Sequence, residues 1–297
     1  MCSSDLCEDK ARLLRATLSV RSNFLLWPQA IETCGHYIAM AKPGAGQESA
    51  LPLLDPANTL GLKADLQRLA WCAAQARSQL SAENWRAISV LQRDVQEYAH
   101  FKRDDREILD ALLLALASLS GFALDDMTQN DGWRLMMIGR RLERLQFLAE
   151  FIHQRLKSGA IPTQGELEWW LDIGDSTITY RTRYLASPRL AETIDLLVFD
   201  QSNPRALAFQ WQAIEHAMVR VSASLGGAPD DSLDAAVAAV EEMQLTALDG
   251  DSARAARARQ SLAEQLDELR AAAGRLSDRL SLKHFSLIEM PIRTVAA

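Results

Sequence analysis

The chain has 297 residues, 48% hydrophobic and 24% charged, with 14 Gly, 9 Pro and 4 Cys. That is the composition of a folded domain, and it excludes a disordered tail, a collagen-like rod and a disulfide scaffold. The formal net charge of −7 is opposite in sign to that of nucleic-acid binders, which cluster Lys and Arg against phosphate, so no DNA or RNA partner is expected.

Apolar residues recur at three- and four-residue spacing nearly throughout and strict alternation is almost absent, which predicts an all-α fold, a multi-helix bundle of about ten helices. The first residues, Met1-Cys2-Ser3-Ser4-Asp5-Leu6, have neither the basic nor the apolar region of a secretory signal. Helices are expected at about 9–26, 29–41, 60–80, 82–101, 104–121 and 131–157, with Pro28 breaking or kinking the first long run. Residues 42–58, rich in Gly, Pro and Ser, cannot continue a helix. The charge-free apolar run 111–124 is shorter than the roughly 20 residues that cross a bilayer, so it reads as a core helix and no membrane partner is expected.

Helix starts further along have a stated mechanism. Thr163 and Glu166 have capping-box spacing, with hydroxyl and carboxylate each accepting from an orphan backbone N–H, so a helix begins within 162–165. Ser187-Pro188 and Asn203-Pro204 combine a capping side chain with proline at the first helical position, which predicts helices at 188–199 and 204–225. Beyond the acidic loop 226–231, helices at 232–247 and 252–282 read as a solvated antiparallel hairpin. Cys2, Cys7, Cys34 and Cys72 form no CxxC pair and read as reduced thiols of a cytoplasmic protein.

Three polar clusters interrupt apolar helices. In Gly139-Arg140-Arg141-Leu142-Glu143-Arg144, the side chains of Arg140, Glu143 and Arg144 lie three and four apart and share a face near Phe147. A carboxylate there could orient guanidinium forks toward an anion, or the cluster could be an ordinary ion-pair ladder between helices. The others are Tyr180-Arg181-Thr182-Arg183-Tyr184 and Asp200-Gln201-Ser202-Asn203-Pro204-Arg205, the latter placed where a helix N-terminus favours an anion. Glu97/His100 and Glu150/His153 are Glu-x-x-His pairs, the spacing used by di-metal helical bundles, although solvated helical histidine is the default reading. No phosphate-cradling loop and no nucleophile elbow is present, so no cofactor is expected.

Taken in order, these clusters resemble a known family. The segment from Trp133 through Gly139-Arg140-Arg141-Leu142-Glu143-Arg144 resembles the Glu-Arg motif helix of the bacterial alpha-E family, an all-helical domain. Thr179 to Leu185 and Asp200 to Phe209 are similar to its Tyr-Arg-x-Arg-Tyr and Asn-Pro-Arg segments in order and separation. The family carries a first Glu-Arg motif near its N-terminus, which is missing ahead of Glu8-Asp9-Lys10-Ala11-Arg12. Residues 1–6 are therefore expected to be non-native, because Cys-Ser-Ser-Asp-Leu is what a common sequencing-adapter tail encodes in one frame. On this expectation residues 7–297 form a single alpha-E domain whose first helix is incomplete.

The resemblance implies an accessory, non-catalytic helical protein. It would act with an ATP-grasp ligase and a transglutaminase-like peptidase in the synthesis or modification of peptide or amide bonds. Arg140, Glu143, Arg144, Tyr180, Arg181, Arg183, Asn203 and Arg205 would form one polar pocket for a partner or an anionic, peptide-like ligand. The alternative is an enzyme in its own right, either a transferase on an activated peptide or a di-metal oxidase using Glu97, His100, Glu150 and His153.

Overall fold

The computed structural model describes residues 4–38, 58–98, 104–226 and 230–285, and these form twelve α-helices with no strand among them. In order they are α1 (Ser4–Ser19), α2 (Trp27–Ile38), α3 (Leu62–Gln75), α4 (Ala82–Tyr98), α5 (Asp105–Asp125) and α6 (Asp131–Leu156). These are followed by α7 (Gln164–Ile173), α8 (Thr177–Tyr184), α9 (Leu190–Ile194), α10 (Leu207–Leu225), α11 (Asp234–Glu241) and α12 (Ala253–Phe285). His100 and nearly all of the predicted irregular stretch 42–58 lie outside the described residues.

α6 is the spine. Only Gly132 of this helix is exposed, and α12, α10 and α1 pack around its circumference. α1 is the second hub, touching α2, α3, α5, α6 and α7, while α4 lies against α3 and α5. Phe151 of α6 meets the rings of Trp169 and Trp170 edge-on at 5.5 and 5.9 Å, the favoured aromatic geometry, and all three are buried. This cluster fixes α7 against the spine.

Local chemistry sets several helix starts. Asn130 caps α6 by accepting from the Trp133 N–H, and the predicted Thr163/Glu166 capping box is complete at the start of α7. Pro28 sits at the second position of α2, where its missing N–H costs nothing, so it opens a helix rather than kinking one. The two predicted proline starts are corrected. α9 begins at Leu190, and α10 begins at Leu207 with Ala206 at its cap. Asn203 instead folds a tight turn, its Oδ1 accepting from the Arg205 N–H, so the helix starts one turn later than its proline suggests.

α7 and α8 are separated by Gly174-Asp175-Ser176. A Cβ at position 174 would lie 2.6 Å from Leu197 Cδ2, so with any other residue Leu197 or the turn would have to shift for α7 to end this close to the segment Asp195–Phe199. That segment is one π turn, closed by Asp200 N–H to the Asp195 carbonyl at 2.9 Å. At the far end Arg259, buried, donates to the carbonyls of Gly159, Leu248 and Gly250 and ties the start of α12 to the loop after α6.

The apolar run at 111–124 extends into a longer helix than expected. α5 spans 21 residues and by length and composition alone could cross a membrane. Its inner face, with Ile108, Leu109, Leu112, Leu116 and Leu119, is buried against α1 and α4, as a core helix requires. Cys7, Cys34 and Cys72 are free thiols, and burial pushes the Cys34 thiol up to about 12.

Candidate functional site

The predicted arginines divide between two places. Arg140 and Arg144, one turn apart on α6, turn inward toward α1, and the carboxylates that receive them are Asp5 and Glu8. Arg140 is bidentate on Asp5, with Nε to Oδ2 at 3.1 Å and Nη2 to Oδ1 at 2.9 Å, and it also reaches the Ser120 hydroxyl on α5. Arg144 Nη2 bridges Asp5 Oδ1 at 3.0 Å and Glu8 Oε2 at 2.9 Å. Arg205, brought in by the Asn203 turn, donates to Glu8 Oε1 at 2.6 Å, and Arg12 reaches the same oxygen at 2.8 Å. Asp175, held at φ +49° between α7 and α8, closes the rim against Arg12 at 3.0 Å and Arg205 at 3.5 Å.

This is a network of fork-shaped donors and carboxylates whose buried charges are, with one exception, well paired, although Arg144 Nε and Arg205 Nη1 have no hydrogen-bond partner and Asp175 at the rim is exposed. Arg140, Arg144, Asp5 and Glu8 are all less than a tenth exposed. The three arginines around Glu8 hold its carboxyl down at about 2 despite burial. Asp9 is the exception. Its nearest cation is Arg144 Nε at 3.6 Å, its Oδ2 has no hydrogen-bond partner, and burial raises its carboxyl to about 7. Arg141 faces α10, lying 5.0 Å over the Phe209 ring and donating to buried Gln210, whose amide holds the Pro204 carbonyl.

Asp5 belongs to the stretch expected to be adapter-derived, and it is nevertheless the carboxylate that both α6 arginines share in this chain. Sequence reasoning quoted Glu8 and Asp9 without assigning them a role and missed Asp5. Their signal is the acidic spacing 5, 8, 9 near the start of the chain, which mirrors Arg140, Arg141 and Arg144.

The remaining predicted residues are dispersed. Glu143 is half-buried on α6. Asn203 is buried and donates to the Ser176 hydroxyl and the Leu196 carbonyl, which makes it a fastener between the α7–α8 turn and the π turn. Tyr180 is buried with its hydroxyl accepting the Arg189 N–H at 3.1 Å, and Arg183 pairs with Asp200 at 2.6 Å. Tyr184 donates to Asp195 at 2.7 Å. Arg181 is exposed, lines two adjoining clefts and pairs with no carboxylate among the described residues. The single pocket expected from the sequence is thus two regions, a sealed cluster around Glu8 and an open groove at Arg181.

The Glu-x-x-His residues serve other ends. Glu150 accepts from His36 at 2.9 Å and pairs with Arg270 at 2.7 Å, which links α2, α6 and α12. His153 Nδ1 lies 2.8 Å from the Ala263 carbonyl, and Glu97 is exposed on α4. Among the described residues no three His, Cys, Asp or Glu side chains gather as a metal site would require.

Fold and site together define an all-helical domain built on a buried carboxylate–arginine network between its first and sixth helices. The Alpha-E family, described as a predicted alpha-helical domain with a conserved ER motif, matches residues 6–285, and the chain belongs to it. The Glu143-Arg144 pair thus lies on the spine helix. Relatives include an uncharacterized protein of Mycobacterium bovis and two of Mycobacterium tuberculosis, each 28% identical over 195 residues. The match takes in 61% of this chain and spans only 22% of those relatives' length. No solved structure matches.

Proposed function

We propose that the chain is an accessory, non-catalytic helical domain of the cytoplasm that docks onto an ATP-grasp ligase. It would serve amide-bond synthesis or modification together with a transglutaminase-like peptidase. One observation supports the non-catalytic part of this reading: three of the arginines singled out in the sequence, Arg140, Arg144 and Arg205, are spent on the chain's own carboxylates. A scaffold needs such a network, whereas a catalytic anion site needs its donors free for substrate. The length of the relatives agrees with a domain that works beside others, since the matched stretch is a minor part of each.

The test is co-expression with the ATP-grasp protein encoded nearest the gene, followed by affinity purification and size-exclusion chromatography. The reading expects the two chains to elute together at a fixed ratio. Elution as two separate species would overturn it.

A further inference from the structure

The two clefts at Arg181 are one groove. The first, about 520 Å³, runs over α8 past Tyr180, Leu185 and Ser187. The second, about 350 Å³, lies between α7 and the α1–α2 turn, past Val20, Asn23 and Trp169. Glu168, Thr177 and Arg181 line both, so the guanidinium sits where the clefts join.

Three properties of this groove point to a ligand. Arg181 is exposed and has no carboxylate partner among the described residues, unlike its neighbour Arg183 on the same helix. Two residues that line it also carry polar atoms that are buried without hydrogen-bond partners, the indole N–H of Trp169 and the hydroxyl of Thr177. An indole N–H can only donate, so it calls for an acceptor such as a peptide carbonyl. Leu185, which lines the first cleft, is 86% exposed, and large apolar side chains next in sequence to lining residues are also turned to solvent, with Ile178 80%, Phe24 91% and Leu25 86% exposed. Leu185 is held there at φ +49°, a backbone region that favours glycine, so the fold keeps a bulky apolar residue where a small one would be less strained.

Charge selects the class of ligand. Glu168 and Asp172 share the groove with Arg181, Asp172 lying 3.9 Å from Arg15, and the higher charge of a phosphate or a run of acidic residues would meet more repulsion from them than one carboxylate would. A single carboxylate can face Arg181 while neighbouring peptide N–H groups face the two acids. We propose that the groove over Arg181 binds an extended segment of a partner polypeptide that carries one carboxylate flanked by apolar side chains. This rests on the partner-docking reading above and gives it a site and a ligand chemistry.

The test uses the full 297-residue chain labelled with nitrogen-15 and two short probes, acetyl-Leu-Ala-Asp-Ala-Leu-amide and its Asn counterpart. The assigned Trp169 indole resonance should shift saturably with the Asp peptide. Both the Asn peptide and Arg181→Gln should weaken the apparent affinity at least about tenfold. A Trp169 signal that stays in place up to about 5 mM peptide, enough to fill a millimolar site, would overturn the proposal. So would a shift indifferent to both changes. If the peptide binds as expected while Arg181→Gln leaves ATP-grasp co-elution intact, the groove stands and its assignment to that partner fails.

Discussion

Arg144 on α6 and Arg181 on α8 have opposite fates. Arg144 is buried, bonded to Asp5 and Glu8, and walled in by α1, α6 and the Asn203 turn. Arg181 projects from an eight-residue helix into a groove beside unsatisfied polar groups and exposed apolar side chains. The residue type is the same. What differs is whether the fold supplies the counter-charge, and that decides which arginine stabilises the fold and which is available to something else.

Substitutions can break this contrast, the largest effect first. Glu8→Gln removes the negative charge shared by Arg12, Arg144 and Arg205 and puts an amide donor in place of one acceptor oxygen, so urea denaturation should show a loss of about 3–5 kcal/mol.

The pH dependence comes next, with two opposed limbs. Glu8 has its folded value lowered, so its contribution is present above about 4.5 and is lost as pH falls toward about 2. Asp9 has its folded value raised from 3.8 to about 7, so the folded state holds a proton the unfolded chain has released. Stability should therefore fall as pH rises through that window, by about 1 kcal/mol per pH unit. Asp9→Asn should flatten this decline and leave the acid limb in place, as read by urea midpoints from acid to neutral pH. An unchanged decline in the variant would show that another group causes it.

Smaller effects sharpen the picture. Thr163→Ala removes one half of the capping box and should cost about 1 kcal/mol, visible as a lowered thermal midpoint. Arg181→Gln touches no internal partner and should change stability by less than about 0.5 kcal/mol by the same assay.

Much of the fold was legible because its signals are local. The period of α6 and the Thr163/Glu166 box depend on neighbours within a turn, and both appear where the sequence places them. The starts of α9 and α10 did not follow their prolines. Asn203 is drawn into hydrogen bonds with Ser176 and Leu196, and that tertiary demand outweighs the capping preference. At the site, spacing identified Arg140 and Arg144 as sharing a face but could not say what faced them. Asp5 is more than a hundred residues away in sequence, and only packing of α1 on α6 joins them. Arg181 and Arg183 look equivalent in the sequence. Asp200 takes Arg183 alone, because the π turn ahead of it places that carboxylate on one side of α8.

The central claim is that Arg144 belongs to the fold and Arg181 to its surroundings. Matched urea denaturation of Arg144→Gln and Arg181→Gln tests it most directly. The account predicts a loss of about 3–5 kcal/mol, or failure to fold, for the first and a change within about 0.5 kcal/mol for the second. Comparable losses in the two variants would contradict it.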